Sequence, residues 1–325
     1  MSAALLEIEG LVVTLRSRHG DQDIVHRVEL ALEPGEMLGI VGESGSGKTL
    51  TMLAVMRLLA PPLEMTRGAV RLEGRDITAI PESEMRRIRG DRMAMVYQDP
   101  MTSLNPLMRI GDQVIESMTA HGIARREASR RALDTLARVE MPDPGRIARA
   151  YPHELSGGMR QRALIAAALA MDPVLLIADE PTTALDVTIQ RQILALVKQL
   201  STASRMATIW VTHDLGVIAR LVHRVVVMYG GYVVEEAPVD QIFHAPQHPY
   251  TKRLLESLPN PTDDSRPRLA QIPGRPPLPS ESIEGCPFRP RCVEARDDCL
   301  TRPELEARLG GRVACWVPVD EWRTA

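Results

Sequence analysis

The segment Gly42–Thr49 has the residue types and spacing of a phosphate-binding loop. It reads Gly-Glu-Ser-Gly-Ser-Gly-Lys-Thr and lies between a short apolar run at Met37–Val41 and a segment of helical character, as the pattern G-x-x-x-x-G-K-[ST] requires. Glycines let successive N–H groups face phosphate oxygens, and the start of a helix adds a partial positive charge. Lys48 is expected to reach the terminal phosphates, and the Thr49 hydroxyl to bind Mg²⁺. The predicted nucleotide-binding residues are Gly42, Ser44, Gly45, Gly47, Lys48 and Thr49.

Two adjacent carboxylates, Asp179 and Glu180, end an apolar run that begins at Val174. Ligands of open α/β sheets bind at the C-terminal ends of strands. Asp179 is therefore expected to hold Mg²⁺ through water, and Glu180 to polarise the attacking water. The alternative is an acidic strand end that caps the next helix. Together with the loop, the pair predicts nucleotide hydrolysis, although kinases, GTPases and helicases share such a loop.

A second Ser-Gly-Gly turn, within Leu155–Arg162, opens another helical segment. The peptide Leu-Ser-Gly-Gly-Met-Arg-Gln-Arg resembles the signature of ABC ATPases. A turn of this kind is a second anion site in a chain whose own loop already holds the phosphates. The resemblance implies that Ser156, Gly157 and Gly158 face the γ-phosphate of the opposite subunit. A complete ATP site then needs two nucleotide domains.

Three further segments resemble marks of this family and follow in its order. Gln98 resembles the Q-loop glutamine that senses Mg²⁺ and water, and Ala184–Asp186 resembles the D-loop. His213 resembles the switch histidine, which contacts the γ-phosphate and positions water. Each alone is more often structural, whereas the ordered set predicts one site. The resemblance thus implies catalysis by Glu180, His213 and Gln98, nucleotide contacts that also include Asp186, and Mg²⁺ at Thr49, Gln98 and Asp179.

The chain departs from the family pattern at the residue that stacks on the adenine base. Such ATPases usually stack the base on an aromatic residue before the loop, but no Phe, Tyr or Trp precedes Tyr97. An arginine can stack on a base and a leucine can pack beneath it. Leu15, Arg16 or His26 is expected to serve instead.

Two longer segments resemble the importers of the oligopeptide, dipeptide and nickel group. They are Tyr97–Pro106, where the family docks a coupling helix of the membrane subunit, and His244–Thr251. The resemblance is to the D-type ATPase of peptide importers and covers the whole chain. It implies as partners a second ABC ATPase subunit, two transmembrane permease subunits and an extracytoplasmic solute-binding protein. This group commonly pairs two different ATPase chains, and a second copy of this chain stays open as the alternative. Peptides lead as the solute, with nickel, haem or another solute as alternatives.

Four cysteines, Cys286, Cys292, Cys299 and Cys315, lie near the end of the chain, with five, six and fifteen residues between successive members. Four thiolates can complete one metal site. In the family that this chain resembles, such a tail is associated with a 4Fe-4S cluster, and Cys₄ ligation suits it. Zinc sites usually show closer C-x₂₋₄-C pairs. Zinc and plain reduced thiols stay open as alternatives, and a cluster is expected to fold the tail rather than to turn over electrons.

The elements around these motifs indicate an α/β P-loop NTPase of the ABC ATPase fold. Strand-like runs lie at Leu5–Leu32, Met37–Val41, Gly68–Leu72, about Glu73–Ile77, Val174–Ala178, Thr208–Val211 and Val225–Met228. Helical runs lie at Thr49–Leu59, Thr188–Leu200 and Leu215–Leu221. The expected fold has a RecA-like mixed sheet core, an antiparallel β subdomain and an inserted helical subdomain at about 90–170, where the pattern of Glu82–Ala170 is largely helical. We predict an ATPase domain at 1–258 and a Cys-containing extension at 259–325, joined by a proline-rich linker after Ala245.

Composition and charge disfavour several classes of function. The 325 residues are 44% hydrophobic with a net charge of −3, so no broad cationic surface predicts a nucleic-acid partner. No apolar run is long enough for a membrane span and the start has no signal-peptide character. A peripheral place on the cytoplasmic face of the membrane is expected. A soluble ABC ATPase acting on nucleic acid is a weaker alternative, because the chain has one cassette, and an iron–sulfur redox enzyme is weaker still.

Overall fold

The computed structural model describes residues 4–18, 20–98, 103–182, 185–258, 272–278, 281 and 284–322. The chain forms two compact units. The first unit comprises Met1–Leu5, Leu32–Glu36 and Arg75–Trp210, and the second comprises Leu6–Ala31, Met37–Gly74 and Val211–Ala325. Each unit is built from both strands and helices.

The described strands, in chain order, are β1 (Leu6–Leu15), β2 (Gln22–Leu32), β3 (Met37–Val41), β4 (Leu63–Leu72), β5 (Arg75–Asp76), β6 (Met93–Val96), β7 (Leu175–Asp179), β8 (Ala207–Thr212), β9 (Arg224–Tyr229), β10 (Tyr232–Pro238), β11 (Glu306–Arg308) and β12 (Gly311–Val313). The described α-helices are α1 (Lys48–Val55), α2 (Glu82–Asp91), α3 (Ile110–Ala120), α4 (Arg125–Arg138), α5 (Pro144–Ile147), α6 (Gly157–Leu169), α7 (Val187–Ser204), α8 (Leu215–Ile218), α9 (Val239–His244) and α10 (Pro249–Glu256). Short 3-10 turns lie at Pro152–Glu154, Arg289–Arg291, Asp297–Leu300 and Val319–Glu321.

In the second unit, an antiparallel sheet follows the order β2-β1-β4. Strand β1 pairs antiparallel with β4, from Leu6 opposite Leu72 to Leu15 opposite Leu63. Along β2 the side chains alternate between buried and exposed, with Val28 and Leu30 facing the core, as a half-buried strand requires. The predicted antiparallel β subdomain is confirmed.

The second unit also holds a mixed sheet. Strand β3, all five residues of which are buried, pairs parallel with β9. Strand β10 pairs antiparallel with β9 and, on its other side, with β12 of the chain's last segment. Strands β11 and β12 form a hairpin. The tail therefore contributes two strands to the sheet of its unit.

The first unit contains the parallel pair β6 and β7, with Met93 opposite Leu175 and Val96 opposite Ala178. The unit also contains helices α2 to α7, which bury residues such as Val114, Met118 and Leu136. The prediction of a largely helical segment to Ala170 is confirmed except at β6, which was missed. Four residues, Met-Ala-Met-Val, are too few for periodicity to separate a buried strand from a helix.

Two other boundaries differ from those predicted. Helix α1 begins at Lys48 and ends at Val55, short of Leu59. The linker predicted after Ala245 is wrong at its start, because α10 follows at Pro249 with a His248 cap. Several prolines on which the linker rested, at 259, 261, 267 and 279, lie outside the described residues. The division at residue 258 stays a prediction. In the part of the chain that the structure describes, no helix is both long enough and apolar enough to cross a membrane.

Candidate nucleotide-binding site

The phosphate-binding loop follows β3 and precedes α1, as predicted. Gly42 has φ 153, and a Cβ there would lie 2.1 Å from the Met228 carbonyl oxygen. Gly47 has φ 97, and a Cβ there would lie 3.2 Å from a methyl of Val25. These conformations and close approaches need glycine. The loop path is therefore fixed by β2 and β9 of the same unit.

Lys48 is the buried centre of the loop, with an exposed fraction of 5%. Its Nζ donates to the carbonyl oxygens of Gly42 at 2.8 Å and Glu43 at 2.9 Å, and to Ser46 Oγ at 3.3 Å. Helix α1 has no acidic residue in its first turn and no side-chain cap, so no carboxylate offsets the partial positive charge at its N-terminus. Ser44, Gly45 and Thr49 are exposed on this surface. The arrangement suits a polyphosphate.

The loop is also held by two residues that sequence reasoning missed, Tyr250 and Arg291. Glu43 N–H donates to Tyr250 Oη at 2.8 Å, and the Arg291 guanidinium pairs with the Glu43 carboxylate at 2.6 Å. Arg291 is 248 residues away along the chain. No local pattern could reveal such a contact, because it depends on the tertiary fold alone.

The paired carboxylates lie at the end of β7 in the first unit. Asp179 is its last residue and is buried, whereas Glu180 adopts a left-handed backbone with φ 46. That conformation is uncommon for a residue with a side chain and is concentrated at functional sites. Gln98, which follows β6, donates its Nε2 hydrogen to Glu180 Oε2 at 3.2 Å. Because β6 and β7 are parallel neighbours, two of the three predicted catalytic residues meet at one sheet edge.

The signature turn opens α6, also in the first unit. Ser156 is the N-cap, and its Oγ accepts from Met159 N–H at 3.4 Å. A Cβ at Gly158 would lie 2.8 Å from Ile189 Cγ2 of α7, so glycine allows α6 and α7 to pack closely. Ser156 and Gly157 are exposed, and the first turn contains no acidic residue. The helix therefore presents an open, electropositive N-terminus.

The remaining predicted residues have other neighbours. Asp186 caps α7, its Oδ1 accepting from the N–H groups of Thr188 and Ile189, both at 3.0 Å, a capping role that sequence reasoning did not assign. Ala184 lies outside the described residues. His213 follows β8 and is exposed, in the second unit. The nucleotide contacts predicted for Asp186 and His213 stay predictions.

Of the residues weighed for the adenine, His26 borders the loop. It lines a cavity of about 410 Å³ together with Gly45 and Tyr232. Its ring stacks on Tyr232 with centroids 4.1 Å apart, and burial lowers the pKa of His26 to about 4, so the ring is neutral at pH 7. Arg16 instead pairs with Asp21 and Glu64. A role in adenine stacking stays a prediction.

The four cysteines of the tail all line one pocket, together with Phe288 and Val317. Burial raises the pKa of Cys286 to about 11 and of Cys292 to about 12, so the thiols are protonated at neutral pH. Among the described residues, no group of three or more His, Cys, Asp or Glu side chains is arranged to hold a metal ion. Buried donor atoms nearby lack a hydrogen-bond partner in the described structure: Arg289 Nε, His248 Nε2 and Arg308 Nη1.

Comparisons with known proteins found a family model and relatives that are similar to this chain over most of its length. Residues 25–183 match the model of the ABC transporter family. A putative peptide import ATP-binding protein of Brucella abortus (strain 2308) is 49% identical over 307 residues, covering 91% of each chain. The chain belongs to the ABC transporter ATP-binding family. Oligopeptide transport ATP-binding protein OppD of Salmonella typhimurium is 45% identical over 319 residues, covering 98% of this chain and 95% of that one.

The ABC fold and its tail both have counterparts. Residues 234–299 match the C-terminal region of oligopeptide/dipeptide transporters. A dimeric ATP-binding cassette in a post-hydrolysis state, bound to ADP and Pi, superposes with a TM-score of 0.64 at 28% identity, covering 72% of this chain and 98% of that one. The predicted P-loop ABC ATPase fold is thereby confirmed. As an ABC ATPase, the chain hydrolyses ATP, and this hydrolysis is coupled to transport.

Proposed function

We propose that this ABC ATPase energises an importer of dipeptides and oligopeptides. The observation that carries the proposal is the match of residues 234–299 to the C-terminal region of oligopeptide/dipeptide transporters, supported by relatives named for peptide import. The test replaces the chromosomal gene with a Lys48→Met version and measures uptake of a labelled tripeptide, nickel and haem. Tripeptide uptake is expected to fall to background, whereas nickel uptake and haem uptake are expected to stay unchanged. Loss of nickel or haem uptake with normal peptide uptake overturns the assignment.

In this proposal each predicted site residue has its own role in ATP hydrolysis. Lys48 and the loop N–H groups would bind the phosphates, and Thr49, Gln98 and Asp179 would hold Mg²⁺, which would neutralise phosphate charge. Glu180 accepts a proton from the attacking water, and Gln98, at 3.2 Å from it, orients that water. His213 would contact the γ-phosphate. The left-handed backbone of Glu180, with φ 46, supports its role, because such conformations are concentrated at functional sites.

The signature turn serves the opposite subunit of an ATPase dimer. Ser156 and Gly157 are exposed at a helix start whose first turn contains no acidic residue. They offer an anion site that a phosphate on a second chain can reach. The dimeric cassette bound to ADP and Pi is a solved relative of this fold. We propose a second ABC ATPase subunit of different sequence as the partner.

A groove in the first unit is the proposed docking site for a cytoplasmic helix of a permease subunit. Leu107 has an exposed fraction of 86%, and it lines a cavity of about 350 Å³ with Met108, Ile115, Tyr151 and the charged Arg109 and Asp112. An apolar anchor beside mixed charges suits the end of an amphipathic helix. Docking of this kind puts the chain at the cytoplasmic face of the membrane, below two permeases that receive solute from an extracytoplasmic binding protein.

Leu107→Asp is expected to abolish peptide uptake and co-purification with the permeases, because it puts a charge into the apolar contact. ATP affinity of the separate chain stays within about twofold of wild type, since the change is on the surface. Leu309→Asp is the matched control, at another leucine that is 75% exposed, and retains uptake. Normal permease assembly by Leu107→Asp contradicts the proposed groove.

For the tail we propose a 4Fe-4S cluster held by Cys286, Cys292, Cys299 and Cys315. All four line one pocket, and the unpaired buried donors of Arg289, His248 and Arg308 suit an anionic cluster. Each iron of such a cluster binds one thiolate, so the sulfurs need not converge on one point, as they must around zinc. The cluster supplies folding energy to the tail.

Anaerobically purified protein is expected to contain about four iron atoms and about four sulfides per chain. Cys292→Ser is expected to lose most of the iron and its visible absorption, and to unfold at a lower temperature than wild type. Ser280→Ala, elsewhere in the tail sequence, serves as the control and keeps its iron. One zinc per chain in place of iron, or a metal-free chain of unchanged thermal stability, contradicts the cluster.

A further inference from the structure

Arg291 connects the cysteine-bearing tail to the phosphate-binding loop. It directly precedes Cys292 in the sequence. Its Nη1 and Nη2 donate to the two Glu43 carboxylate oxygens at 2.6 and 3.0 Å. The Arg291 side chain is 5% exposed and that of Glu43 25%. A two-pronged pair with little solvent access is a directional contact, unlike most surface ion pairs.

The other donors of Arg291 are also used. Nε donates to the Pro273 carbonyl oxygen at 2.8 Å, and Nη2 to that of Ile272 at 3.2 Å. Nη1 also donates to Tyr229 Oη at 3.1 Å, on the strand that pairs with β3. The guanidinium is thus locked between two tail segments and the sheet, and it presents a fixed fork to Glu43.

Glu43 is held at its backbone as well as at its carboxylate. Its N–H donates to Tyr250 Oη at 2.8 Å, and its carbonyl oxygen accepts from Lys48 Nζ at 2.9 Å. Tyr250 is fully buried and packs against Phe288, with ring centroids 5.3 Å apart. Phe288 lies between Cys286 and Cys292 in the sequence. The tail therefore reaches Glu43 along two routes, one ionic and one aromatic.

We propose that the segment 286–292 positions the phosphate-binding loop, with Arg291 as the positioning residue and Glu43 as its contact. Fixing Glu43 fixes the carbonyl oxygens that hold Lys48, and so sets the place of the ammonium group for the phosphates. Affinity for ATP then depends on the fold of the tail, including the state of its cysteines. The inference rests on ATP binding at this loop, and it assigns the tail a part in that binding.

The test measures ATP affinity of the full chain by titration with a fluorescent ATP analogue for Arg291→Met, Glu43→Gln and the double variant. Each single change is expected to weaken binding about tenfold, a typical coupling between two sites. The double variant is expected to be no weaker than either single one, because both remove the same contact. Arg291→Lys restores only part of the affinity, since an ammonium cannot form the fork.

A second readout separates positioning from general stability. Amide exchange of the peptide that contains Glu43 is expected to speed up in Arg291→Met, because its N–H bond to Tyr250 loosens. Arg296→Met is the control: it removes another tail arginine that pairs with a carboxylate, Glu321, at 2.8 Å, and it keeps ATP affinity within about twofold of wild type.

The outcomes are distinct. If Arg291→Met lowers the melting temperature but leaves ATP affinity and Glu43 exchange unchanged, the pair only stabilises the fold and the inference is wrong. Additive losses in the double variant also overturn it. If Lys48→Met leaves ATP binding intact, the assignment of the nucleotide site itself fails, whatever Arg291 does.

Discussion

Glu180→Gln is expected to lower ATP turnover of the assembled transporter by about 10² or more, with ATP binding retained. The amide keeps the size of the carboxylate but cannot accept the proton of the attacking water. The hydrogen bond from Gln98 to Glu180 Oε2, 3.2 Å long, can re-form with the amide oxygen, so the local structure persists. Two quantities are measured: the steady-state ATPase activity of the full complex and the affinity of the variant for ATP.

The control for this substitution is Glu73→Gln. Glu73, with φ 52, shares the left-handed backbone of Glu180, with φ 46, but lies in an exposed turn between β4 and β5. ATP turnover in Glu73→Gln is expected to stay near that of wild type. This result would show that replacing a glutamate with a left-handed backbone does not by itself lower turnover. Wild-type-like turnover in Glu180→Gln contradicts the role of Glu180 as the base.

Lys48→Met is expected to weaken ATP binding by about 10²-fold, because charge-assisted bonds to phosphate are lost. Within the chain, the substitution removes the donor to the carbonyl oxygens of Gly42 and Glu43. Buried carbonyl groups without a donor loosen the loop as well. The two effects act in the same direction, and titration of the chain with a fluorescent ATP analogue measures their sum.

Lys198→Met is the matched control for Lys48→Met, since Lys198 lies on an exposed face of α7. Its ATP affinity is expected to equal that of wild type. Retention of tight ATP binding by Lys48→Met, with the loop peptide still protected from amide exchange, contradicts the phosphate-binding assignment.

The nucleotide site was largely predictable because its parts are local. The strand Met37–Val41, the loop and the helix Lys48–Val55 follow one another directly in the sequence, and glycine at Gly42 is required by a nearby carbonyl oxygen. The signature turn is likewise a cap motif, with Ser156 opening α6. In both places the residue types determine the backbone, so the sequence pattern carries the geometry.

Other features depend on residues far apart in the chain. Strand β6 is recognisable only beside β7, and the left-handed backbone of Glu180 has no signal in a carboxylate pair. The link from Arg291 to Glu43 spans 248 residues. Tertiary contacts decide such cases, and one sequence does not contain them.

Strand β12 joins the tail to the sheet of the ATPase domain, so the tail cannot be removed or exchanged without affecting that sheet. It supplies the outer neighbour of β10, and its Arg312 shares the buried Glu236 carboxylate with Arg224 of β9. A chimera that ends before β12 leaves a bare strand edge, which favours self-association, and a buried carboxylate with one cation instead of two, which lowers stability. Transfer of this tail between transporters in evolution therefore requires matching changes on β10, and the cassette and its tail are expected to diverge together.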